Sequence, residues 1–589
     1  MTQTDQVKKL WGKLDKEQHQ ETIAYLTKEA AYFLSQQSSL TSFQTFRQFQ
    51  RDGERSTYEK AYFERRKRLT TFGLLSSIEP ENKQYLQALE NEIWQICQEF
   101  TWCLPAHIDQ QKEEQIYVSY QQSQTLEYTI DLFAAETAFS LAEIIYLLED
   151  HLDPFLIEQI KIEIDRRVLS NFINNGPFHW ESASHNWASV CAGSVGAAAI
   201  YMLEDQEQLA KIIDRVLDSM EHYLSGFKAD GACTEGYTYW QYGFGYFVYF
   251  MDLLERVTGE RYKLFNSNKI RKIAQFQQHI FLSGNHLINF SDAPSFAQPM
   301  LGFTHYLQQK FPEVHLPVKE VGQKEIVDHC GRWAPAFREL QWYDVGKQGS
   351  NWRDANVLWD PSAILMTRFQ CNEETYAFAA KGGHNDEPHN HNDIGHFLLF
   401  GGEEVFLKDL GAGQYNQAYF SEQRYDFICN SSYGHSVPVI NGQTQFAGKE
   451  YQATVQQADH CRNQTIFQLH MHKAYNDPTL LRLNRTFIFD RDRHPALTLT
   501  DRFRFTDEPS SLIEHFILLD MPYVIEDSQI VLKGAKQSLK IVYDSNMIPQ
   551  IRRKTFTNHQ GKEEAFLQLQ LSLEDLKTEI AATIVFQFC

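Results

Sequence analysis

The apolar period of this chain changes once, from steps of three and four residues to steps of two near residue 340, and nothing else limits the fold as tightly. Before the change, Leu209, Ile212, Ile213, Val216, Leu217 and Met220 fall on one face of a helix. Leu141 to Leu148, Phe155 to Phe172 and Tyr246 to Val257 repeat that pattern. The breaks Asn174-Asn175-Gly176-Pro177 and Lys228-Ala229-Asp230-Gly231 cut the region into helical hairpins. After the change, Ala363 to Phe369, Val405 to Leu407, Val437 to Ile440, Thr465 to Leu469, Thr486 to Phe489, Ala496 to Thr500 and Leu512 to Leu519 read as strands. Asn441-Gly442 is a tight-turn signal because both residues tolerate positive φ. Strands with little helix between them predict an antiparallel sandwich or barrel. The expected fold class is therefore α+β and multidomain, with a helical domain at 1–330, a β domain at 340–589 and a junction within 314–345.

With 589 residues, the chain is long enough for several cores. Its formal charge is −21 and no Lys/Arg block is present, which argues against a nucleic-acid partner. An acidic total leaves an anionic substrate possible, since the field of a cleft can differ from the net charge. The aromatic load (28 Tyr, 42 Phe, 10 Trp) suits a sugar-binding cleft as well as a large core. Nine scattered cysteines without Cys-x-x-Cys pairs read as free buried thiols. The opening Met-Thr-Gln-Thr-Asp-Gln-Val-Lys-Lys-Leu-Trp lacks the apolar core of a signal peptide, and no run reaches transmembrane length. The expected location is the cytoplasm, with no membrane partner; the sequence leaves the oligomeric state open.

Residues 381–397 carry the strongest chemical signal. His384, His389, His391 and His396 lie with Asp386, Glu387 and Asp393 inside thirteen positions. Histidine titrates near neutrality and is the commonest metal ligand, so such density marks a site. Strand-like segments flank the run, Tyr376 to Ala380 and His396 to Phe400. On an extended backbone His389 and His391 would point to the same side. Two further loops stand out in the helical half. Ser184-His185-Asn186-Trp187 precedes a small-residue helix, with Asn186 placed as an N-cap. Asp230-Gly231-Ala232-Cys233-Thr234-Glu235-Gly236 leads into Tyr237, Tyr239, Trp240 and Tyr242, whose phenols need hydrogen-bond partners that a purely apolar core would not require.

These segments together resemble the heparinase II/III-like polysaccharide lyases. The resemblance lies in Asn-Trp before the small-residue helix, Asp-Gly-x-x-x-Glu-Gly-x-x-Tyr-Trp-x-Tyr-Gly, His-x-His-x-Asp, Lys-Asp-x-Gly-x-x-x-Tyr and Ser-Ser-Tyr-Gly-His-Ser, in the family's order over about residues 170–440. It implies an (α/α) toroid followed by an antiparallel β-sandwich, with the active cleft between them. The implied reaction is β-elimination at a uronic acid of an acidic oligosaccharide or polysaccharide, which leaves a 4,5-unsaturated sugar.

Elimination beside a charged carboxylate needs that carboxylate neutralised, a base at C5 and an acid for the departing oxygen. By resemblance Asn186 neutralises, Tyr239 is the acid (or acid and base), and His389 is the base or a second neutraliser. His185, Glu235, Tyr242, Tyr419 and Arg424 are implied as substrate-binding residues. His391, Asp409 and His435 are implied ligands of a structural zinc, two imidazoles and a carboxylate being a common zinc set. A water or His384 could complete it, and no organic cofactor is expected. The alternatives are a metal-free His–Asp cluster, a glycoside hydrolase recruiting carboxylates among Glu235, Asp230, Glu387 and Asp393, and a non-catalytic binder of acidic glycans.

Overall fold

The computed structural model describes residues 11–12, 16–108, 129–259, 264–387, 389–416, 418–492 and 494–589. Most of the opening segment read above for a targeting signal lies outside the described residues. Two compact units are present, and neither is one continuous stretch of chain. The first comprises 1–227, 239–268 and 299–349; the second comprises 228–238, 269–298 and 350–589. The sequence boundary near 330–340 marks where helices give way to strands, whereas two pieces from within the helical region pack with the strands.

The first unit is built of paired helices. Those of ten residues or more are α1 (Gln20–Ser35), α2 (Ser56–Ile78), α3 (Lys83–Cys97), α4 (Leu132–Leu148), α5 (Pro154–Ile164), α6 (Asn186–Met202), α7 (Gln206–Gly226), α8 (Gly245–Thr258), α9 (Leu301–Lys310) and α10 (Trp333–Trp342). The expected helix Phe155 to Phe172 runs through α5, a π turn (Asp165–Leu169) and Ser170–Asn175 without a break. Helix α6 is buried nearly all round and packs on α4, α7 and α8. Its small residues make that possible, since a methyl on Gly196 would come within 2.5 Å of the Phe250 ring of α8. These hairpins form the (α/α) toroid part of the fold.

The second unit is a sandwich. Its strands are β1 (Ala355–Trp359), β2 (Ile364–Cys371), β3 (Glu374–Lys381), β4 (Phe397–Gly401), β5 (Glu404–Leu407), β6 (Val439–Ile440), β7 (Thr454–His460), β8 (Gln464–His470), β9 (Leu480–Asp490), β10 (Ala496–Phe505), β11 (Leu512–Leu519), β12 (Tyr523–Glu526), β13 (Gln529–Lys533), β14 (Ser538–Tyr543), β15 (Met547–Thr557), β16 (Glu563–Leu573) and β17 (Glu579–Phe588). One sheet runs β15-β16-β11-β5-β4-β3-β2-β1 with β6 beside β11, and the other runs β7-β8-β9-β10-β17-β14-β13-β12. All of these pairings are antiparallel. Among the described residues both sheets keep free edges, so this is a sandwich rather than a barrel. Alternate residues of β9 and β10 are buried, and Phe378 and Phe397 of one sheet meet Phe487 and Phe586 of the other at 5.2–5.7 Å between rings. The Asn441-Gly442 turn forms as expected, both residues at positive φ, with Ile440 and Gln443 bonded across it.

Strands β3 and β4 are buried along most of their length, which breaks the one-sided alternation. The cause is the segment 269–298, which packs against strands of this sheet. Phe276 packs on Trp359, Phe281 stacks on Trp352 at 4.7 Å, and Arg368 donates to the carbonyls of Phe281 and Gln278. Beyond it, His286 meets Phe400 and Phe290 meets His396. This segment ends by delivering Ser291-Asp292 to the histidine-rich loop. The nine cysteines are all free; Cys461 and Cys589 are exposed rather than buried. Among the described residues no helix is long and apolar enough to cross a membrane.

Candidate active site and metal centre

In the first unit the structure joins the elements that carry Asn186 and Tyr239. Asn186 is the first residue of α6, and the cap is His185, whose ring accepts from Trp187 N–H at 3.4 Å. The expected N-cap is thus one residue earlier, and the Asn186 amide is released from capping. Tyr239 ends a short helical turn, and a π turn, Trp240–Phe244, follows it. Inside that turn Gly243 lies against Asn186, close enough that a methyl there would sit 3.1 Å from the Asn186 Cβ. Ser189 of α6 donates to the Gly243 carbonyl at 2.5 Å. The three candidate phenols are now distinguishable. Tyr237 is buried and bonded to Gln277, and Tyr242 donates to the buried Glu136 beneath the Arg332 guanidinium, 4.1 Å from its ring. Tyr239 stays half-buried. Burial and the Glu136 charge push the Tyr242 phenol well above its ordinary value, which suits a structural donor.

In the second unit the histidine-rich run is a loop between β3 and β4, with only His384–Asn385 extended, paired to Gly448–Gln452. The extended backbone expected for His389 and His391 is absent, since His389 adopts a left-handed φ of 55°. Their side chains nevertheless converge on Asp292, a residue that the sequence reading did not single out. His389 Nδ1 lies 2.7 Å from Asp292 Oδ2, and His391 Nε2 lies 2.9 Å from Oδ1. Tyr415, Tyr419 and Arg424 donate to the same carboxylate at 3.1, 2.5 and 3.0 Å. Burial pushes this carboxyl up, but the hydrogen bonds from both histidines and the Arg424 charge outweigh it and hold it well below the usual carboxylate range.

On its other side His389 Nε2 faces Glu235 Oε2 at 3.8 Å. Burial raises the Glu235 carboxyl; His389 opposes the shift and the Asp292 charge adds to it. The loop carrying Glu235 needs Gly236 at φ 94°, where a methyl would strike Ala293 at 2.5 Å. Tyr419 is fully buried, its hydroxyl shared between Asp292 and Asn430. It therefore braces Asp292 and does not reach a ligand surface, contrary to its expected contact with substrate. Arg424 keeps partial exposure while its Nε holds the Asn390 carbonyl at 2.9 Å, between the two histidines.

Behind this layer is a buried cluster in which His391, Asp393, Asp409 and His435 each bring one ligand atom, all within 4.8 Å of one another. His391 Nδ1, Asp393 Oδ2, Asp409 Oδ2, His396 Nε2 and both nitrogens of His435 make no well-formed hydrogen bond there, although His396 Nε2 and His435 Nδ1 each lie 3.2 Å from Asp409 Oδ2. Buried polar atoms left so are costly, and converging nitrogen and oxygen atoms are what a divalent cation satisfies. The donor set fits a metal. Asp393 joins the three expected residues in this cluster, its other oxygen held by buried Lys381 at 2.7 Å. His384 instead pairs with Glu387 at 3.3 Å. His396 accepts from Ser436 N–H through Nδ1, which turns its Nε2–H toward Asp409 at 3.2 Å, so it supports Asp409 rather than binding. Asp393 is absent from the ligand set expected above, although it stood in the histidine-rich run and in His-x-His-x-Asp.

With this geometry in place, the chain has both parts of a toroid-and-sandwich fold, and the comparisons agree. Residues 366–572 match the family described as heparinase II/III-like, C-terminal. The match lies wholly within the β half of the chain. Its structure is similar to a heparan sulfate lyase from Pedobacter heparinus, with 13% identity, a TM-score of 0.61, and 90% of this chain and 77% of that one covered. It is also similar to a heparinase III gene product, at 12% identity and TM-score 0.64 over 97% and 90% of the two chains. A chondroitin AC lyase from Streptomyces coelicolor A3, in complex with chondroitin sulphate, gives 10% identity and TM-score 0.54 over 99% and 82%. No curated protein matches in sequence.

Proposed function

We propose that this protein is a polysaccharide lyase that cleaves a uronic-acid-containing glycan by β-elimination. The observation that carries this reading is His389. Its Nδ1 is anchored on a buried carboxylate, and its Nε2 edge is partly exposed beside Glu235. A base so held is oriented in advance and needs little reorganisation as charge develops. In the proposed reaction Nε2 takes the C5 proton, the electron pair forms the C4–C5 double bond, and the C4–O bond breaks as Tyr239 protonates the leaving oxygen. Asn186 hydrogen-bonds the substrate carboxylate, which makes C5–H acidic enough to remove. His185, Glu235, Arg424 and the rim of Tyr242 line the substrate. A glycosaminoglycan is the favoured substrate class, because the similar structures are named as lyases of heparan sulfate and chondroitin.

The proposed metal is a structural zinc held by His391, Asp393, Asp409 and His435. When bound it would tie together three separate loops of the β half of the chain, those carrying His391 and Asp393, Asp409, and His435. Hydrolysis is less well supported, since the carboxylates it would pair are already engaged. Asp230 accepts from Ala232 and Ser362 N–H, Glu387 pairs with Lys228, and Asp393 with Lys381. The test is a panel of uronate oligosaccharides followed in the ultraviolet. New absorbance from an unsaturated uronate is expected. Release of reducing ends without absorbance would replace the lyase with a hydrolase, and neither signal would leave a glycan binder.

A further inference from the structure

Asp292 comes from the helical region, ninety-seven positions before His389, and no feature of the elimination requires it. Each of its oxygens is nonetheless taken by an imidazole. We infer that Asp292 is a positioning residue that sets the tautomers of His389 and His391 together, so that one carboxylate both aims the base and presents a metal ligand. The inference rests on the lyase reading for the role of His389 alone; the part concerning His391 stands on the buried cluster.

The argument is one of donors and acceptors. An ionised carboxylate only accepts, and Arg424 at 3.0 Å only donates, so Asp292 is surrounded by donors. The ring nitrogens at 2.7 and 2.9 Å must therefore both carry hydrogen. The opposite tautomer would set a nitrogen lone pair against a carboxylate oxygen in a water-poor site, which no neighbour compensates. For His389 this leaves the lone pair on Nε2, on the side of Glu235. For His391 it leaves the lone pair on Nδ1, the atom with no hydrogen-bond partner in the cluster. A carboxylate behind a metal-bound imidazole is a common way to fix ligand orientation and raise basicity. Here it is shared with a second imidazole.

The backbone supports this assignment. Ser291 and His389, the residues on either side of the contact, both adopt left-handed φ, 61° and 55°, without being glycine. Such conformations cost about 1–3 kcal/mol each and persist where surrounding structure imposes them. Tyr415, Tyr419 and Arg424 close the remaining approaches, so the carboxylate cannot turn away from either ring.

The test reads tautomers directly. In long-range nitrogen–proton spectra of the metal-free, full-length protein with labelled histidine, His389 should be protonated at Nδ1 and His391 at Nε2. The reverse at either ring overturns the inference without any variant. Asp292→Asn keeps the shape but offers one acceptor oxygen and one N–H2 donor, so one ring must reverse. Zinc affinity, measured by competition with a chromogenic chelator, should fall about 10–100-fold, while His389→Ala leaves it unchanged. An Asp292→Asn protein with wild-type zinc affinity and unchanged histidine spectra overturns it. None of these readouts uses turnover, so a protein that cuts no uronate glycan would sink the lyase proposal and leave this one standing.

Discussion

Single side chains separate chemistry from support most sharply among the tyrosines. Tyr239→Phe removes one hydroxyl and keeps the ring, so turnover on the best uronate substrate should fall by about 10² or more, with an unchanged melting temperature. Tyr242→Phe should do the reverse. It strips a donor from buried Glu136, which Tyr246 and Arg332 still hold, and should cost about 1.5–3 kcal/mol of stability; the ring that would face substrate is kept, so turnover should change little. If Tyr242→Phe abolishes turnover and Tyr239→Phe does not, the acid has been assigned to the wrong phenol. The two histidines divide in the same way: His389→Ala should lower activity alone, whereas His391→Ala should lower activity and thermal stability, since it would remove a proposed ligand from inside the core.

At the scale of elements, buried charges hold the ends of helices and strands in place. Glu339 in α10 accepts from Gly302 and Phe303 N–H at the start of α9. Burial pushes its carboxyl up from 4.5 to about 7, against the pull of those hydrogen bonds. The folded state therefore binds more protons than the unfolded one between pH 4.5 and about 7, so Glu339 makes stability fall as pH rises through that window. Glu339→Gln should flatten the slope of melting temperature against pH there; an unchanged slope would mean the carboxyl is not raised. Arg485 does comparable work in β9. It is fully buried, paired with Asp501 and Glu514, and donates to the carbonyls of Gly395 and Ser436, which flank His396 and His435. Arg485→Met strands two buried carboxylates and should destabilise the sandwich by about 3–5 kcal/mol. Zinc retention should fall with it, read as metal content after gel filtration.

Over the whole molecule, the metal proposal predicts about one zinc per chain when protein is purified without chelator. Removing it should lower the melting temperature, because a ligand at a hundred times its Kd contributes about 2.7 kcal/mol. A metal-free protein with the same melting temperature would reduce the four residues to a hydrogen-bonded cluster.

The sequence by itself determined what depends on neighbours along the chain. Periods of 3.6 and two are local properties, so the helical hairpins, the strands and their order were legible, with Leu512–Leu519 matched at both ends. The site loops were legible too, because a left-handed glycine such as Gly236 or a dense histidine run marks a special backbone or chemistry wherever it later packs. Only the tertiary structure decided which of those residues meet. Asp292 looks like an ordinary loop acid until the segment 269–298, itself helical by pattern, packs against the strands and carries it to His389 and His391. That Asp393 rather than His384 joins the buried His391–Asp409–His435 cluster, and that Tyr419 is buried, were decided by the same packing. Apolar area drives those contacts without regard to sequence distance, and no period or spacing records where a segment from one half of the chain comes to rest on the other.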